Sequence, residues 1–99
     1  MIDSEEYMKQ RLAKMTDAER AEFEARSAAA ELAMDIAQIV YDARKEAGLT
    51  QAELAKAMGV TQSRISELEG GGSVPNLATL AKVAEAVGCK ISIHFDTAA

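Results

Sequence analysis

From Leu32 onward apolar residues return at helical intervals: Leu32, Ile36, Ile39, Val40 and Ala43 share one face, and Gly48 ends the run as a left-handed cap. Thr50-Gln51-Ala52-Glu53 has capping-box spacing and opens a short helix that stops at Gly59. Thr61 caps another from Gln62 to about Gly70. Gly70-Gly71-Gly72-Ser73-Val74-Pro75 is a loop, after which Asn76 caps a last helix through Val87, ended by Gly88. The N-terminal third is sparser. Asp3 with Glu6, and the capping-box string Thr16-Asp17-Ala18-Glu19, start one or two helices that reach the Ala-rich stretch at 28–30. Met8, Leu12, Met15 and Phe23 are their thin apolar content, and helices that polar either bridge solvent or wait for a partner.

The tail changes period. Cys89, Ile91, Ile93 and Phe95 alternate with Lys90, Ser92 and His94, a two-residue repeat that predicts a half-buried strand. A lone strand leaves its backbone groups unpaired, so it calls for another chain. Antiparallel pairing of two copies about a two-fold axis, through Ile91, Ile93 and Phe95, is the simplest solution.

Composition narrows the core. The chain is 48% hydrophobic and 27% charged, ordinary for a soluble globular protein, but only 4% aromatic with no Trp, so Ala, Leu, Ile, Val and Met must build a small helical bundle. The N-terminus, with Asp3, Glu5 and Glu6, does not have the basic start and apolar run of a signal peptide, and no stretch is apolar for long enough to span a bilayer. Cys89 is alone, and a cytoplasmic, reducing environment is expected. Net charge is −5, but it is unevenly spread. Residues 1–31 hold eight acids (Asp3, Glu5, Glu6, Asp17, Glu19, Glu22, Glu24, Glu31) against five bases (Lys9, Arg11, Lys14, Arg20, Arg26). Residues 47–90 balance Glu53, Glu67, Glu69 and Glu85 with Lys56, Arg64, Lys82 and Lys90.

The two short helices around Gly59 satisfy a restrictive set of demands. Two helices that cross steeply need Leu54 and Met58 facing the core, a small Ala55 beneath the second helix, a positive-φ Gly59 at the turn, Val60 as its plug, and Ile65 and Leu68 inward from the second helix. Together with the strings Gly48-Leu49-Thr50-Gln51-Ala52-Glu53-Leu54-Ala55 and Gly59-Val60-Thr61-Gln62-Ser63-Arg64-Ile65-Ser66-Glu67-Leu68-Glu69-Gly70, this resembles the Cro/cI repressor-like (XRE-type) helix-turn-helix family, across roughly residues 36–87.

The resemblance implies a mainly α fold: a lambda-repressor-like bundle in which the helix from Gln62 lies in the major groove of double-stranded DNA. It implies base contacts from Gln62, Ser63, Arg64 and Glu67, and phosphate contacts from Gln51, Thr61, Ser73 and Asn76. For Glu67 the rival role is an ion pair with Arg64 three residues earlier, and for Thr61 and Asn76 it is helix capping. It also implies that Arg44 and Glu69 form a partly buried structural ion pair.

The flanks extend the resemblance to HigA-like and related XRE-type antitoxins, which repress their own operons as dimers and bind a small basic RelE/HigB-type ribonuclease. On that reading residues 1–31 are an N-terminal helical extension for toxin or dimer contact, 32–88 the DNA-binding domain, and 89–99 the dimerisation strand and tail. Tyr7, Met8, Leu12, Met15 and Phe23 would anchor the toxin, or else pack on the chain's own bundle or the second subunit. Two alternatives stay open: a stand-alone phage- or plasmid-type repressor, and a protein-interaction module that has lost DNA binding. One His, one Cys, no zinc-spaced cluster and no nucleotide-binding loop point away from an enzyme, a metal or a cofactor.

Overall fold

A computed structural model describes residues 3–97, which form five helices: α1 (Ser4–Ala13), α2 (Asp17–Glu46), α3 (Gln51–Met58), α4 (Gln62–Gly70) and α5 (Leu77–Val87). Each begins on a side chain that accepts a first-turn amide. Asp3 takes the N–H of Glu6, Thr16 that of Glu19, Thr50 that of Glu53, Thr61 that of Arg64 and Asn76 that of Thr79. Only at Thr50 is the capping box reciprocal, with the Glu53 carboxylate accepting the Thr50 backbone N–H. At Thr16 the expected box is half-formed, because the Glu19 carboxylate takes the Thr16 hydroxyl instead.

α2 runs unbroken through residues 31 and 32. The Ala-rich stretch at 28–30 contains no breaker, and Ala is the best helix former, so the helix continues although the apolar pattern thins. It ends where Gly48, at φ 74°, reverses the chain and the N–H groups of Gly48 and Leu49 return to the carbonyls of Lys45 and Arg44 at 3.0 and 3.1 Å.

The core lies where the second half of α2 meets α3, α4 and α5. Val40, Leu54, Ala55, Ile65, Leu68 and Val83 are buried together, flanked by Ile36, Leu49, Met58, Val60, Leu80, Ala86 and Val87. α2 turns Ala33, Ala37, Val40 and Arg44 inward, so its packed face is rotated from the predicted one: Leu32 and Ile39 stay 52% and 64% exposed. The small Ala33 and Ala37 allow close approach, and the bundle covers only that side. The remaining length of α2 carries α1 outside the bundle. The molecule measures 48 × 34 × 20 Å with a radius of gyration of 17.5 Å, against about 13 Å for a compact chain of this size. α1 buries no residue and is tied back by the Arg20 guanidinium, which donates to the Leu12 carbonyl at 2.6 Å. No helix of the described residues is long and apolar enough to cross a membrane.

The predicted C-terminal strand is not formed: none of residues 89–97 pairs in a sheet. The physical reason is the one the pattern itself raised, because a strand needs a neighbour for its N–H and C=O groups and the described residues hold no other. Ile91, Ile93 and Phe95, the expected pairing residues, are exposed, Phe95 fully so.

Candidate nucleic-acid interface

The turn between α3 and α4 is set by few atoms. Gly59, at φ 69° and ψ 32°, ends α3 in the left-handed region, and the Val60 N–H reaches back to the Ala55 carbonyl at 2.9 Å. Thr61 then starts α4. Leu54 and Ile65 are completely buried, Ala55 is nearly so, and Leu68 closes the second turn of α4 against the same core. Because both inward residues of α4 are fixed, its opposite face is fixed too. Ser63, Ser66 and Glu67 point away from the core, with Gln62 and Arg64 at its margins, all exposed. Ser66 is absent from the sequence-based site. Its position three residues beyond Ser63, on the same helix face, is the signal that would have included it.

One carboxylate knots the back of this unit. The Arg44 Nε and Nη2 atoms donate to Oε2 and Oε1 of Glu69 at 2.7 and 2.9 Å, and Nη1 donates to the Leu49 carbonyl at 2.8 Å. The two side chains are only 8% and 5% exposed, and the Arg44 guanidinium also lies 5.2 Å from the Tyr41 ring centre. The hydrogen bonds to Glu69 hold the Arg44 pKa above its ordinary value, outweighing the burial that pulls the other way. Gln51 joins the same knot, its Nε2 donating to Glu69 Oε1 at 3.3 Å.

The other predicted contact residues fall into two groups. Arg64, Glu67, Ser73 and Asn76 line one open hollow of about 610 Å³ between the end of α4 and the loop before α5. Within it Arg64 Nη1, on the only base of α4, donates to Glu67 Oε2 at 3.3 Å in an exposed pair. Asn76 is occupied as a cap, its Oδ1 accepting from the Thr79 N–H at 2.8 Å. Gln51 and Thr61 lie outside the hollow, Gln51 as the first residue of α3 and Thr61 as the N-cap of α4, at helix ends whose dipole favours anions. Tyr7 and Met8 are exposed on α1, while Leu12, Met15 and Phe23 are half-buried. No group of three or more potential ligands that could hold a metal ion occurs among the described residues.

This arrangement is similar to known proteins. A family model described as helix-turn-helix (HTH_3) matches residues 40–93. An uncharacterized HTH-type transcriptional regulator of Methanothermobacter thermautotrophicus is 44% identical over 50 residues, 50% of this chain and 72% of that protein. The ImmF control region 10 kDa protein of Bacillus phage phi105 is 33% identical over 55 residues, 56% of this chain and 61% of that protein. Among solved structures, an HTH_3 family transcriptional regulator from Vibrio cholerae superposes with a TM-score of 0.58 at 30% identity, covering 62% of this chain and 34% of that one. The chain thus spans about three-fifths of the phage relative and a third of the Vibrio protein, and what is shared is the bundle.

Proposed function

The chain belongs to the helix-turn-helix family HTH_3, and from that premise we propose that it is a sequence-specific DNA-binding regulator of transcription whose reading head is α4. The observation that carries this is the exposed face Gln62, Ser63, Ser66, Glu67, with Arg64 beside it, seated on the buried Ile65 and Leu68. Gln62 and Ser63 suit base edges, Gln by a bidentate contact to adenine, and Arg64 suits guanine or phosphate. Gln51, Thr61, Ser73 and Asn76 surround that face as phosphate contacts. Footprinting on the DNA upstream of its own gene tests the reading. Gln62→Ala and Arg64→Ala should each weaken operator binding by about 1–3 kcal/mol while leaving the fold intact. A wild-type chain that binds no sequence better than random DNA would sink it.

The balanced charge of residues 47–90 makes one copy a weak binder, which supports a homodimer on a palindromic operator with half-sites about 34 Å apart. The tail supplies that second copy: Ile91, Ile93 and Phe95 gain a ladder partner only when another chain is present. Ile93→Asp should then yield monomers by sedimentation. The acidic N-terminal region supports the fuller reading of an autorepressing antitoxin that neutralises a basic RelE/HigB-type ribonuclease. The phage protein, named for a control region, favours a second reading, a stand-alone repressor. Rescue from an adjacent gene's toxicity by co-expression separates the two.

A further inference from the structure

α2 carries an apolar seam that the bundle leaves open. At about 100° per residue, Leu32 and Ile39 lie roughly a third of a turn from the buried stripe of Ala33, Ala37, Val40 and Arg44. Ala18, Ala21, Ala25 and Ala28 continue the same seam toward the N-terminus at alternating spacings of three and four, all exposed. Along one border run Asp17, Glu24, Glu31, Asp35, Asp42 and Glu46, also exposed, with no Lys or Arg between them. Arg20 and Lys45 lie beyond the border, on its far side. Among the described residues none of the six acids has a salt-bridge partner, and Asp42 accepts only a Gln38 amide. Across the border from the seam, a hollow of about 520 Å³ is lined by Ala30, Glu31, Met34 and Asp35. That combination seats the apolar stem and charged head of a Lys or Arg.

The charge pattern decides between occupants. Two copies laid antiparallel along this seam would set acidic border against acidic border. Laid parallel, they would oppose Asp17 to Glu22, where Arg26 already pairs with Glu22, and bring Asp35 and Asp42 against their own equivalents, which have no salt-bridge partner among the described residues. A partner with an aliphatic ridge and bases about 10 Å apart, the spacing of Asp17, Glu24 and Glu31 on a helix, satisfies both features. We propose that the Leu32–Ile39 seam and its acidic border form a docking surface for a cationic amphipathic helix of another protein. The acidic border lies on the side of α2 opposite its buried stripe and the seam a third of a turn from that stripe, so the bundle covers neither. The inference deepens the partner half of the proposed function, moves the anchor from Tyr7, Met8, Leu12, Met15 and Phe23 to Leu32 and Ile39, and does not require that the partner be a ribonuclease.

Two fluorescent synthetic helical peptides with one shared leucine seam, one bordered by Lys and the other by Glu, provide the test against the full chain by anisotropy. The Lys peptide should bind, with affinity falling as salt rises, and the Glu peptide should not. Leu32→Ser with Ile39→Ser, and separately Glu24→Lys with Glu31→Lys and Asp35→Lys, should each weaken binding at least tenfold with helicity unchanged, and the uncharged seam variant should leave operator binding unchanged as well. Ile39→Gln alone serves if the double variant melts early. Three results overturn the proposal: equal binding of both peptides, Lys-peptide binding that ignores the seam variants, or a wild-type dimer that Leu32→Ser with Ile39→Ser dissociates, which would make a second copy the occupant. Failure of the DNA reading shows separately, through Gln62→Ala and Arg64→Ala on operator DNA, and leaves peptide binding untouched.

Discussion

Removing the Glu69 carboxylate is the sharpest test of what holds the bundle together. In Glu69→Ala, Arg44 loses two of its three protein hydrogen bonds and keeps only the Leu49 carbonyl and the Tyr41 ring. The cation cannot escape by losing its proton, since an arginine is effectively always charged. It must stay uncompensated in a site where it is 7% exposed, or drag α2 away from α4. Breaking one side of a buried pair costs about 3–5 kcal/mol. At roughly 0.05–0.15 kcal/mol per residue, a bundle of this size has only about 3–8 kcal/mol in total. Glu69→Ala should therefore forfeit from about two-fifths to all of the stability, read as a lower midpoint in urea unfolding followed by helical circular dichroism. The control is Arg44→Met with Glu69→Leu, which removes both charges and fills the space; it should lie within about 1 kcal/mol of wild type. A single variant that unfolds within about 1 kcal/mol of wild type, or a double variant no better than the single, would refute the reasoning.

Glu67→Gln should free Arg64, raise affinity for random DNA and steepen the dependence of log K on log salt by up to about one. A selective loss of operator binding instead would show that Glu67 reads a base. Gly71→Ala combines a φ of 72° with a Cβ that would run into the Met34 thioether; it should cost about 1–2 kcal/mol or more in thermal unfolding. Gly48→Ala, strained by its φ but meeting no atom within 4 Å, should cost less, and equal losses would remove Met34 from the account. The hydrogen bond from the Thr50 backbone N–H holds the Glu53 pKa below its ordinary value. The stability it contributes is therefore present at neutral pH and lost as pH falls through the lowered value. The gap between wild type and Glu53→Gln should close on acidification, and a constant gap would contradict the cap's role.

The helix-turn-helix was legible because its demands are stereochemical and local. Only a small residue fits at Ala55, only a left-handed residue turns at Gly59, and the three-residue step from Ile65 to Leu68 leaves α4 one way to face. The continuity of α2 was hidden, since the change in apolar density at Leu32 imitates a boundary while Ala suits both a packed face and a wet one. Helical spacing grouped Leu32 and Ile39 with Val40, but a stripe that broad does not say which edge the neighbours cover. Packing chose the edge with Ala33 and Ala37. The tail shows the reverse problem. A period of two is a property of one chain, whereas a strand is a property of two, and Ile91 and Ile93 record only the first. Side-chain pairing inside the site, such as Gln51 with Glu69, depends on rotamers that spacing does not resolve.

That last contact links stability to the proposed function. Glu69 Oε1 accepts from both Arg44 Nη2 and Gln51 Nε2, so the carboxylate that joins α2 to α4 also orients the first residue of α3. A primary amide has two N–H donors, and with one directed at Glu69 the second is left for the phosphate contact proposed for Gln51. The two roles come apart in the double variant. Arg44→Met with Glu69→Leu should restore most of the stability that Glu69→Ala loses, because no buried charge is stranded. It should not restore the placement of Gln51, which has lost its acceptor in both. Operator affinity measured on the double variant, folded and at fixed salt, should therefore remain reduced by about the same amount as in Gln51→Ala, one hydrogen bond to a charged phosphate or about 1.5–3 kcal/mol, with the salt slope unchanged because the Gln51 side chain is neutral. Full recovery of DNA binding alongside stability would mean that Glu69 acts on the fold alone and that Gln51 finds its position without it.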